Sequence, residues 1–170
     1  MQSIQRMGAD SDFDALYRRH APNAFRRAWR LLGNPSDATE VVHDVFLSLY
    51  ERPEQYAGRS SVTTFLYSAV THACLNRLRD HDNRQRLLSE HTSGSAPGYA
   101  SASQEQAVEV RALLERMPEP LAQVAVYYYL DELSHADIAR ILSCSSRHVG
   151  DLLARVSRWA ARQEAALCNA

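Results

Sequence analysis

The 170 residues contain no lysine: all 19 basic residues are arginine, set against 20 acids for a net charge of −1. Bulk electrostatics therefore announce no polyanionic partner, and any attraction to nucleic acid must come from how the arginines are distributed. Arginine does suit that task, because its planar fork makes bidentate contacts with phosphates and guanine edges. Cysteine is scarce. Cys74, Cys144 and Cys168 lie far apart, form no CxxC pair and are odd in number, which argues against a disulfide framework or thiolate metal site and reads as structural thiols. No stretch approaches the roughly 20 apolar residues of a membrane span, and the opening MQSIQRMGADSDFD has no apolar run for a signal peptide. A cytoplasmic chain without membrane insertion is expected. Histidines and acids are plentiful, yet none falls into HExxH, a Ser-His-Asp context or a glycine-rich phosphate loop. No catalytic centre, metal site or cofactor is therefore expected. Asn-Gly and Asp-Gly hairpin turns are also missing, and nothing else supports β structure.

What remains is helical. Hydrophobic residues make up 45% of the chain, enough for a folded core, and their spacing is three and four almost throughout. Phe13 to Leu32 reads as one helix stopped by Gly33-Asn34-Pro35. Ser36 or Asp37 starts a second helix through Tyr50, burying Val42, Val45, Phe46 and Leu49 and leaving Glu40, His43, Asp44, Leu47 and Glu51 on another face. Ser61 can cap a third helix that runs towards Arg79. The composition then changes: residues 87 to 104 are rich in Ser, Gly, Ala and Pro, a linker signature, before helical periodicity resumes near Gln106. The predicted fold is all-α, with two small helical domains, 10–86 and 105–165, joined by a flexible linker at 87–104.

The most specific pattern lies between Ser134 and Arg158. Ser134 and Asp137 resemble a capping box that opens a short helix through Leu142, and Ser143-Cys144-Ser145 forms a tight turn whose last serine can cap a longer helix. On that helix Val149, Leu152, Leu153 and Val156 make an apolar stripe, with Arg147, Arg155, Arg158 and Arg162 on the opposite side. This is the pattern of a helix-turn-helix, whose second helix enters the DNA major groove. Local charge agrees. From 140 to 162 five arginines face one acid, giving +4, whereas from 108 to 137 two arginines face six acids, giving −4. A module polarised this way turns one end to phosphates. A conventional helix-turn-helix regulator fits this segment equally well.

Other segments narrow the choice. Asp37-Ala-Thr-Glu-Val-Val-His-Asp-Val-Phe46, the stretch from Tyr56 through Arg79, and Leu114-Glu-Arg-Met-Pro118 followed by Asp131 to Leu142 resemble, in this order, the extracytoplasmic-function group of bacterial sigma factors. The resemblance implies a promoter-specific initiation factor whose partners are the β′ and β subunits of core RNA polymerase, promoter DNA and an anti-sigma factor. It places core binding at Asp37, Glu40, His43, Asp44 and Leu47. It places the reading and melting of the −10 element at Tyr56, Arg59, Ser61, Thr63, Thr64, Tyr67, Arg77 and Arg79. The −35 element falls to Ser145, Ser146, Arg147, His148, Asp151, Arg155 and Arg158. Gly150-Asp151 departs from the family pattern, where a basic residue and a serine are frequent; Asp151 can accept from a cytosine amino group.

Overall fold

A computed structural model describes residues 10–58, 60–89 and 102–168 and contains no β-strand among them. The chain divides into two compact units, Met1–Arg77 and Leu78–Ala170. The division falls inside a helix, earlier than the boundary at 86 expected from composition.

In the first unit, α1 (Asp10–Leu32) runs to Gly33, whose φ of 72° and N–H bond to the Trp29 carbonyl (2.8 Å) terminate it in the left-handed conformation that glycine adopts without strain. Helix α2 (Pro35–Glu51) begins one or two residues before the expected serine or aspartate: Asn34 is the cap, its Oδ1 accepting from Ser36 N–H at 2.9 Å, and Pro35 occupies the first turn, where its missing N–H costs nothing. A 3-10 turn (Pro53–Gln55) leads towards α3 (Val62–Ser89). Ser61 does cap α3, its hydroxyl accepting from Thr64 N–H at 3.1 Å, but the helix continues ten residues past Arg79. The core is made where Ala24, Ala28 and Leu31 of α1 face Val42, Phe46 and Leu49 of α2 and Leu66, Val70 and Leu75 of α3, all buried. Val45 is only half-buried, while Ala38 and Val41 join the buried stripe. The Phe46 ring receives Tyr17 and Phe13 edge-on, with centroids 4.9 and 6.3 Å away.

The second unit carries α4 (Ala102–Arg116), α5 (Glu119–Ala125) running into a π-helical segment (Val126–Leu130), α6 (His135–Leu142) and α7 (Ser146–Cys168). With α3 reaching Ser89 and α4 starting at Ala102, the central part of the expected linker, 90–101, lies outside the described residues. The α6 cap is as anticipated: Ser134 Oγ accepts from Asp137 N–H at 3.2 Å and donates to the Asp137 carboxylate at 2.6 Å. The bond from the Ser134 hydroxyl, foremost, and then the neighbouring Arg140 hold the Asp137 carboxyl below its ordinary value. Ser143 ends α6 at φ 53°, where the N–H of Cys144 reaches the Ala139 carbonyl at 3.0 Å. Glu132 takes a similar φ of 54° just after the π segment, a conformation that costs a side-chain-bearing residue about 1–2 kcal/mol.

Candidate nucleic-acid interface

Helix α7 separates its two duties by angle. Val149, Leu152, Leu153, Val156 and Trp159 are buried against α5 and α6, so the helix cannot turn without exposing them. Ser145 Oγ accepts from His148 N–H at 3.2 Å and fixes where the helix begins. Ser146, Arg147, His148, Asp151, Arg155 and Arg158 are all exposed. Arg147 and Arg158 point in nearly the same direction about 16 Å apart, with Asp151 one turn from Arg147 on that side. Arg158 folds back, its Nε donating to the Ala154 carbonyl at 3.2 Å. Gly150 has nothing within 4 Å of where a Cβ would stand, so packing does not require glycine there.

A second polar cluster forms at the start of α3. Ser61 and Thr64 share a hydroxyl contact of 2.9 Å, Thr63 is exposed, and the Tyr56 ring stands edge-on to Phe65 at 5.4 Å with its hydroxyl donating to the Ser60 carbonyl at 2.5 Å. Tyr67, half-buried, lies beneath the Arg27 guanidinium at 3.6 Å from the ring centroid. Arg27 also donates from Nε to Thr71 Oγ1 at 2.7 Å, and the fully buried Thr71 hydroxyl donates to the Tyr67 carbonyl at 2.7 Å. Arg59 lies outside the described residues.

On α2, Glu40, His43, Asp44 and Leu47 are exposed, Leu47 at 43%. Beside Leu47 a cleft of about 420 Å³ opens between α1 and α2, lined by Phe13, Tyr17, His43, Phe46 and Tyr50. Two residues expected to face DNA are engaged otherwise. Arg77 reaches Asp37 at 2.9 Å and also bonds Glu40, joining α3 to α2, and Arg79 pairs with Glu119 at 3.3 Å. The first of these ties also takes up two of the acids assigned to core binding, and leaves Asp37 only half-exposed.

The comparisons with known proteins agree on one family. Sigma-70 region 2 matches residues 16–84 and Sigma-70 region 4 matches residues 107–158. The ECF RNA polymerase sigma factor SigM of Mycobacterium tuberculosis is 29% identical over 154 residues, covering 88% of this chain and 76% of SigM. SigW of Bacillus subtilis, another ECF RNA polymerase sigma factor, is 24% identical over 147 residues, covering 79% of this chain and 77% of SigW. The chain belongs to the extracytoplasmic-function group of the sigma-70 family. Solved structures share the fold: CnrH in complex with the cytosolic domain of CnrY has a TM-score of 0.54 at 20% identity, over 96% of this chain and 94% of CnrH. RpoE of Bartonella quintana, bound to the anti-sigma factor NepR, has a TM-score of 0.51 at 13% identity, over 86% and 92%.

Sigma factors are in general non-enzymatic initiation factors, and among the described residues no group of His, Cys, Asp and Glu could hold a metal ion. No described helix is long and apolar enough to cross a membrane. For this sigma factor the periodicity of the sequence sorted α7 and α2 into faces, but it missed Arg27 and the aromatic cleft beside Leu47. The cleft's signal was present in Phe13, Tyr17, Phe46 and Tyr50, whose spacing only states that they are apolar, not that two of them stay half in water.

Proposed function

We propose that this sigma factor divides its labour between a core-binding and −10-reading domain, residues 10–86, and a −35-reading domain, residues 105–165. The exposed face of α2, His43, Asp44 and Leu47 with Glu40 and Asp37 at its edge, takes the polymerase β′ subunit. Tyr56, Ser61, Thr63, Thr64 and Tyr67 receive the unstacked bases of the −10 element, for which aromatic and hydroxyl groups around a helix start are suited. Arg147, His148 and Asp151 read base edges of the −35 element, while Arg155 and Arg158 hold phosphates and Ser145 and Ser146 set the helix start against the backbone. The observation that carries the −35 assignment is the geometry of α7, whose buried stripe fixes the opposite, arginine-bearing face outward. An anti-sigma factor is a further partner, as NepR is for RpoE, and the site of action is the cytoplasm.

The test is Asp44→Arg. Asp44 is exposed, so the substitution should change stability by less than about 0.5 kcal/mol. Helicity by circular dichroism is expected to be unchanged and affinity for core polymerase to fall at least tenfold. Unchanged affinity in a folded variant would show that this face does not carry core binding.

A further inference from the structure

The outward face of α1 has a character that neither promoter-reading cluster uses. From Ala15 through Ser36 the chain holds five arginines and no acid; Arg18 pairs with Asp14 at 2.8 Å, while Arg19, Arg26, Arg27 and Arg30 have no acid within this stretch. At the helical rotation of about 100° per residue, Arg19, Pro22, Asn23, Arg26, Trp29 and Arg30 share an arc of roughly 120°. That arc points away from the buried Ala24, Ala28 and Leu31, and all six residues are exposed. Trp29 is 51% exposed, although the other tryptophan, Trp159, is only 8% exposed. The Phe25 ring lies 6.1 Å from the Trp29 indole and extends the aromatic surface. Next to this arc, partial burial first and the Arg19 charge second push the His20 imidazole below its ordinary value.

Cations without acids attract a polyanion, and an indole half in water offers a flat face to another ring. A duplex presents phosphates but hides its base faces in the stack. A single strand presents both. Base–aromatic stacking combined with backbone cations is how unpaired strands are held without sequence preference. We propose that this face of α1 binds single-stranded DNA, with Trp29 as the stacking platform and Arg19 and Arg26 on the backbone. The occupant is the unpaired strand of an opened promoter, an identification that rests on the initiation role above. The binding of single strands itself does not.

Trp29 reports on its own surface. In the full chain carrying Trp159→Phe it is the sole tryptophan, and a homothymidine 20-mer, which contains no promoter element, is the probe. The expected result is a change in Trp29 emission that saturates with strand binding, followed in parallel by the anisotropy of a labelled oligomer, and a smaller Trp29 change with a duplex of equal length, which α7 can hold elsewhere on the chain. Trp29→Ala, at an exposed position, should lower single-strand affinity at least about fivefold, the lower bound of base–aromatic stacking. Arg19→Gln with Arg26→Gln should flatten the plot of log affinity against log salt by about 1.4, near 0.7 for each phosphate no longer neutralised. If Trp159→Phe fails to fold, the emission change of the wild-type chain minus that of Trp29→Phe gives the same reading. Trp29 emission that stays constant while the strand binds would overturn the proposal. So would an unaltered salt slope in the double variant, an equal Trp29 emission change with the duplex, or an emission change produced by core polymerase alone, which would put a protein on the face. A chain that binds homothymidine through Trp29 yet does not bind core enzyme would leave this surface standing and defeat the core-binding assignment instead.

Discussion

Replacing Arg77 by glutamine should loosen the first unit in a salt-dependent way. Arg77 Nη2 lies 2.9 Å and Nε 3.3 Å from Asp37 Oδ1, and the same guanidinium bonds Glu40. Its pKa is raised, chiefly by the bond to Asp37 and then by that to Glu40. The three side chains are 33%, 35% and 55% exposed, so water and ions screen them and the pairs belong to the modest class. At about 0.2–1 kcal/mol for each such pair, the two together contribute on the order of 1 kcal/mol. In a unit of this size that corresponds to a fall in Tm of about 4–8 °C. Denaturant unfolding of Arg77→Gln, Asp37→Asn and the double variant gives the coupling directly, and about 0.5–1 kcal/mol of non-additivity is expected at low salt. It should shrink at 1 M salt, where the screening length is about 3 Å. Additive losses would show that the bridge between α2 and α3 adds nothing to stability and would return Arg77 to the DNA-facing role its position in the sequence resembles, whereas a coupling unchanged at high salt would refute the screening expected of so exposed a bridge.

Within α7, Arg147→Ala should alter −35 sequence preference by about 1–3 kcal/mol at one base position, whereas Arg158→Ala should weaken binding to all sequences and flatten the salt slope; a uniform loss from both, measured by competition binding, would defeat the division of roles. Cys74 is fully buried and its thiol is pushed up to about 12 by desolvation, against the opposing pull of Arg27, so alkylation at pH 8 should reach it only at the rate of unfolding. Labelling followed by peptide mass analysis checks this, and rapid modification of Cys74 in the native chain would contradict its burial. The depressed Asp137 carboxyl contributes stability that is present above the ordinary value of 3.8 and lost as pH falls through its lower folded value. Ser134→Ala should therefore flatten the acid limb of a pH–stability profile, and an unaltered limb would place the acid sensitivity elsewhere.

Most of the fold was legible because most of it is local. The helix stop at Gly33, the caps at Ser61, Ser134 and Ser145, and the buried stripe of α7 are each decided within four residues by backbone chemistry that the sequence displays. Where a boundary moved, two local choices were close. Asn34 took the cap from Ser36 because Pro35, its φ already near the helical value and its missing N–H without cost there, fits the first helical position, and Asn34 Oδ1 accepts from Ser36 N–H. Helix α3 ran to Ser89 because Arg84, Gln85, Arg86, Leu87 and Leu88 are all good helix formers, and the serine- and glycine-rich composition begins to dominate only beyond them.

The candidate sites were legible only in part, because a periodic pattern tells which side of a helix faces away from its core but not which distant side chain awaits it there. Arg77 has the composition and position of a phosphate contact, and only the packing of α3 on α2 reveals that Asp37, 40 residues earlier, reaches it first. Arg27 is likewise indistinguishable in sequence from Arg26. One turns inward to Thr71 and Tyr67 and the other outward, a difference of about 100° set by where Ala24 and Ala28 meet the core. In a chain whose only strong cation is arginine, charge type carries no information on role, so geometry must sort the 19 into ties between helices and contacts for a ligand. That sorting gives an experimental order. Arginines that cross between helices, Arg27 and Arg77, should show their effect first in unfolding, and those on open faces, Arg19, Arg26 and Arg147, first in the salt dependence of DNA binding.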